Sequence, residues 1–204
     1  MAQESTYVDT FKRSVGIDAT FVNNFLPFDN TIGERGDYLV HYFKFRENGK
    51  FTRHAFDIDV FGRFENNESE EDIDDARFNI DYKISFGKRK RIFKNGYIYY
   101  GTEMRFDYFL DQRVNRDFNA PDENSFNTNL DQIIEFMYGP MLGIEYKFSP
   151  RVSVYTEAGF YIMGRFMVEK FRSDNNPALD FTDTTIQVQD VFDLPGSIIL
   201  FYSF

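Results

Sequence analysis

Residues 77–87 read Arg77-Phe78-Asn79-Ile80-Asp81-Tyr82-Lys83-Ile84-Ser85-Phe86-Gly87. Phe78, Ile80, Tyr82, Ile84 and Phe86 alternate with Asn79, Asp81, Lys83 and Ser85 without a break. A β-strand sends successive side chains to opposite faces, so this stretch is a strand with one apolar and one polar face. A helix would scatter the same residues around its circumference.

Outward from this segment the same parity recurs at 15–21, 56–60, 98–108, 142–148, 152–162 and 198–204. The stretch 37–46 admits two registers. A three-residue turn at Glu47-Asn48-Gly49, with Gly49 left-handed, pairs Arg46 with Lys50 and puts His41 on the face of Asp57. A two-residue Asn48-Gly49 turn would move His41 to the apolar face; the first register is preferred. Short turns follow at 48–49, 87–96 and 149–150, and longer, Asn-, Asp- and Pro-rich connections at 26–36, 65–76, 110–132 and 169–194. The predicted fold is all-β: one domain over 1–204, an eight-stranded antiparallel up-and-down meander closed into a barrel, which leaves no free edge.

Composition narrows the possibilities. Of 204 residues, 26 are Phe and 13 Tyr, with no Trp and no Cys. The missing Cys excludes disulfides and thiolate chemistry. Thirty-three acidic against 23 basic residues give a charge of −10, the wrong sign for a nucleic-acid footprint. No apolar run approaches 18 residues, which excludes a helical span but not a membrane strand. Which face of the strands meets water therefore decides the class. Alternation sustained for about ten residues, a polar face rich in Gly, Ser and mixed charge, and systematically alternating connection lengths favour the apolar face outward, in lipid.

The chain resembles the small eight-stranded outer-membrane β-barrel proteins of Gram-negative bacteria, of the OmpX and OmpA barrel type. The likeness covers nearly the whole length, and its most specific element is the tail Ile198-Ile199-Leu200-Phe201-Tyr202-Ser203-Phe204. The resemblance implies a transmembrane barrel in the outer membrane, a removed precursor signal peptide, and residues 1–11 as a short periplasmic segment. It also implies that Ile198, Leu200, Tyr202 and Phe204 form a C-terminal assembly signal read by the barrel-insertion machinery. The aromatic excess then becomes a lipid-facing belt with interfacial girdles.

The polar parity collects Asp18, Asp57, Asp59, Asp81, Glu103, Asp107, Glu145 and Glu157 against Arg53, Arg63, Lys83, Arg105, Lys147 and Arg165. An eight-stranded lumen is just wide enough for side chains to fill, so these are expected to form an ion-paired core. The acidic run at 65–75 lacks calcium-loop spacing and reads as a solvated loop, and Lys88-Arg89-Lys90-Arg91 as a solvated turn. Some barrels of this kind are lipid A deacylases with Ser and His at the outer rim. Here His54 sits near the short turn, His41 lies mid-strand, and no Ser is placed beside either. No phosphate loop, HExxH or Gly-x-Ser-x-Gly occurs.

The expected function is non-enzymatic and cofactor-free: an integral barrel with a plugged core and a structural or adhesive role carried by its long loops. Expected partners are membrane lipids, the insertion machinery and other outer-membrane proteins, with no nucleic acid. Two alternatives stand beside it: an accessory subunit of a larger outer-membrane complex, and a soluble lipocalin-like carrier with its apolar face inward.

Overall fold

The alternating segments pair edge to edge. The computed structural model describes residues 11–18, 39–65, 73–116, 126–174, 176–193 and 198–204. Its strands are β1 (Arg13–Asp18), β2 (Val40–Phe45), β3 (Lys50–Glu65), β4 (Ile73–Phe93), β5 (Gly96–Arg116), β6 (Phe126–Lys147), β7 (Val152–Ser173), β8 (Phe181–Asp193) and β9 (Ile199–Ser203). A 3₁₀ turn, Pro177–Leu179, precedes β8. Among the described residues no helix is long and apolar enough to cross a membrane.

Each strand from β1 to β7 pairs antiparallel with the next, and β9 joins β7 to β1, so the sheet closes into a ring. Cross-strand partners reveal its stagger. From Val152 they lead through Tyr202, Val15, Tyr42, His54, Ile84, Met104 and Tyr138 to Ile162. One circuit thus returns to β7 ten residues along from its start. Eight strands with that stagger are tilted by about 40° to the ring axis, within the range of closed sheets.

Burial follows the predicted parity. On β9, Ile199, Phe201 and Ser203 are buried while Leu200, Tyr202 and Phe204 are exposed. On β5, Tyr97, Tyr99 and Glu103 are buried while Tyr100, Met104 and Phe106 are exposed. The β2–β3 register is the preferred one: Phe45 faces Phe51, the Arg46 amide donates to the Lys50 carbonyl at 2.8 Å, and Gly49 has φ +75°. A positive φ suits glycine because a side chain would clash with its own backbone.

Three expectations need correction. The stretch 88–91 is not a turn: β4 runs on to Phe93, and Lys94-Asn95 make the reversal. The connections predicted at 110–132 and 169–194 are largely strand, because β5 continues to Arg116, β6 starts at Phe126, β7 continues to Ser173 and β8 fills 181–193. A 21-residue strand such as β5 spans roughly 70 Å at about 3.3 Å per residue, twice what a tilted crossing needs. In the extensions of β5–β7 parity fades because polar residues occupy both faces, whereas in β8 Ile186, Val188 and Phe192 share one face within a stretch read as a connection; hydrogen bonding between strands continues regardless of side chain. The eighth position in the ring is shared by β8 and β9, whose registers against β7 differ by two residues. Residues 1–10, 19–38, 66–72 and 117–125 lie outside the described residues, and with them most of the predicted N-terminal segment, the 26–36 connection and most of the acidic run.

Candidate functional site

The inward parity of β3, β4, β5 and β7 delivers Arg53, Lys83, Glu103, Arg105 and Glu157 to one level of the ring. Arg53 is fully buried; its guanidinium bonds Glu103, reaches Glu157 at 2.5 Å and donates from Nε to Ser85 at 3.1 Å. Lys83 Nζ meets Glu157 at 2.7 Å. Arg105 donates to Glu103 at 2.8 Å and to Asp193 at 2.6 Å. Tyr155 donates to Glu157 and Tyr161 to Glu103, each at 2.8 Å. Three cations therefore oppose three carboxylates, and every carboxylate oxygen of Glu103 and Glu157 has a donor. Enclosing Arg53, Lys83, Arg105, Glu103 and Glu157 together, with Asp193 at the edge, is tolerable only with this degree of pairing.

Towards the short turns lies a layer the sequence reading did not anticipate. Phe43, Phe51, Tyr97, Tyr99, Met141, Tyr155, Ile199 and Phe201 form a buried cluster inside the ring. Phe43 packs edge-on against Phe201, Tyr99 and Tyr155 at 5.0–5.6 Å between centroids. The rings fit because glycines lie beneath them: a Cβ on Gly143 would come within 2.2 Å of the Tyr155 hydroxyl, and one on Gly16 within 2.2 Å of the Phe201 ring. Arg89 enters this layer, bonding Glu145 at 2.7 Å and lying 3.7 Å over the Tyr97 ring. Its parity with Lys83 and Ser85 was the available signal, masked by the run of cations around it.

Towards the other end the polar residues spread out. Arg165 pairs with Glu135 at 2.6 Å, and Asp111 takes bonds from Arg77 and Arg113. Asp57, Asp81, Asp107 and Glu135 are consecutive cross-strand partners, and Asn79 donates to Asp81 at 2.6 Å.

Of the predicted interior set, Lys83, Glu103, Arg105 and Glu157 share the central network, and Glu145 and Arg165 occupy the layers on either side. Asp18 and Lys147 are buried, Asp57, Asp81 and Asp107 are half-buried, and Asp59 is exposed instead of joining the core. Arg63 lies on β3 opposite Asp75, and its side chain is outside the described residues. Asp111 and Arg89 were missed because their segments read as connections, and Glu135 because it lies between the 110–132 connection and the alternation that begins at 142.

His41 is buried opposite Ala55, its ring edge-on to Phe201, on the same inward face as Asp57. His54 faces outward and bonds the Tyr82 hydroxyl at 2.7 Å. Among the described residues no three His, Asp or Glu converge as a metal site would. Chemically, the central network sets three cations against three carboxylates, while the carboxylates of Asp57, Asp81, Asp107 and Glu135 adjoin one another beyond it. The chain matches no protein-family model, no curated protein and no solved structure.

Proposed function

We propose that this protein is an integral outer-membrane β-barrel with a plugged interior, acting structurally or adhesively rather than catalytically. The observation that carries the reading is the inversion of its two faces. Charges are buried inside the ring, while Phe56, Ile58, Phe86, Met104, Phe106, Phe136, Leu142, Ile144, Phe160, Ile162 and Leu200 all stand exposed outside it. A water-soluble protein rarely leaves an apolar surface of that extent uncovered. The soluble carrier reading requires the opposite arrangement, a roomy apolar interior, which the ion pairs and rings occupy.

The apolar band supports a span from about Ile98 to Tyr108 on β5, a length that crosses a bilayer when tilted. Beyond it β5, β6, β7 and β8 extend as one continuous sheet, with Phe171 and Phe181 stacked at 5.8 Å. This extended sheet would carry any recognition on the cell surface. Ile198, Leu200, Tyr202 and Phe204 face outward, as a strand offered to insertion machinery would require.

The test is extraction and gel mobility. The protein should stay with membranes through carbonate or urea washing, need detergent for release, and migrate differently before and after boiling. Release into plain buffer, or identical mobility in both states, would contradict the proposal.

A further inference from the structure

We propose that the outward face of β1–β4 at the short-turn end binds the phosphate headgroups of anionic glycerophospholipids. The inference rests on the membrane-spanning reading above. Arg13, Lys44, Arg46, Lys50 and Lys88 are all exposed there. Their placement is electrostatically unfavourable in an isolated chain. Arg13 lies directly opposite Lys44 across β1–β2, and Lys50 directly opposite Lys88 across β3–β4. Like charges facing each other across strands destabilise a sheet. Arg46 adds a third cation beside the second pair, because its amide bonds the Lys50 carbonyl.

Among the described residues none of these five side chains has a carboxylate partner. The neighbouring acid, Glu47, is engaged by Lys12 at 3.0 Å. A chain with a net charge of −10 thus gathers uncompensated positive charge at one end. An external anion removes the repulsion.

Geometry identifies that anion as a lipid rather than a free phosphate. On every strand the next outward residue belongs to the membrane-facing side: Val15 follows Arg13, Tyr42 precedes Lys44, Thr52 follows Lys50 and Phe86 precedes Lys88. Arg46, Lys50 and Lys88 rim an open hollow that continues onto Thr52 and Phe86. A phosphodiester seated among the cations would lay its glycerol and acyl chains along these side chains. Inorganic phosphate would gain nothing from them. Basic residues near an anionic bilayer surface attract its lipids in the same way.

The experiment is lipid retention from mixed micelles, read by native mass spectrometry of the full chain. The folded protein is offered equimolar phosphatidylglycerol and phosphatidylcholine, with and without millimolar inorganic phosphate. Phosphatidylglycerol should be retained at least about tenfold over phosphatidylcholine, and phosphate should not displace it. The triple variant Arg46→Gln/Lys50→Gln/Lys88→Gln should lose the preference. Lys170→Gln/Arg172→Gln, at the opposite end of the ring, should keep it.

Equal retention of the two lipids by a protein that inserts into phosphatidylcholine vesicles would overturn this inference alone. Displacement by phosphate would overturn the lipid assignment. Preference retained in the triple variant would also overturn the inference. Failure of the wild type to insert into any vesicle would instead overturn the membrane reading on which it rests. Heat-dependent gel mobility of each variant confirms that a lost preference reflects lost charge and not lost fold.

Discussion

Arg53→Met should destabilise the folded protein by about 3–5 kcal/mol, the cost of leaving buried carboxylates without their cation. Arg53 touches both Glu103 and Glu157, where Lys83 lies close to Glu157 and 3.9 Å from Glu103, and it also holds Ser85. Without it the plug carries three carboxylates against two cations. Methionine fills most of the vacated volume, so the loss reports charge more than cavity. The double variant Arg53→Met/Glu103→Gln restores the balance, leaving Lys83 with Glu157 and Arg105 with Asp193. It should recover at least half of the lost stability, because a neutral replacement of a buried pair is often nearly harmless. Urea midpoints of refolding into phosphatidylcholine vesicles measure both, and the pair forms a double-mutant cycle. Additive losses would show that the network is not a mutually compensating unit.

The second large effect is expected on the other face. Met104 points outward from the middle of the apolar stretch of β5, between Thr102 and Phe106. Met104→Arg should cost about 2–4 kcal/mol of folding stability in a bilayer, the penalty for a cation at mid-depth on a lipid-facing strand. In aqueous buffer the same exposed substitution should be almost neutral. Lys170→Glu, in the polar extension of β7, serves as the matching control and should change vesicle stability little. Equal tolerance of Met104→Arg and the control in vesicles would place Met104 in water.

Parity carried most of what was legible in the sequence. Alternation assigned Lys83, Glu103 and Glu157 to one side and Ile84, Met104 and Thr156 to the other, because period two is fixed by strand geometry and a closed ring has an inside and an outside. The turn chemistry of Glu47-Asn48-Gly49 set the β2–β3 register for an equally local reason. What parity cannot reveal is the level at which an inward residue sits. Tyr99, Tyr155 and Phe201 were on the inward side by count, but count alone does not place them in one layer. Only the stagger of ten residues brings them together with Phe43 below the ion pairs. The charged stretch around Arg89 misled in the opposite direction, since four adjacent cations resemble a solvated turn until their alternate faces are separated. The extensions of β5–β7 stayed hidden because polar residues on both faces erase alternation, whereas in β8 Thr182, Thr184, Ile186 and Val188 share one face and have strand propensity.

The absence of Cys makes the decisive measurement background-free. Single cysteines placed in turn at positions 98–108 of β5, spin-labelled in vesicles, report collision with lipid-soluble oxygen and with a water-soluble paramagnetic reagent. Labels at Ile98, Tyr100, Thr102, Met104, Phe106 and Tyr108 should be open to oxygen and shielded from the aqueous reagent, with labels at the intervening positions protected from oxygen. That period-two profile is the expected result. Aqueous access at the outward positions, or no alternation along β5, would contradict a lipid-facing exterior around a charged core.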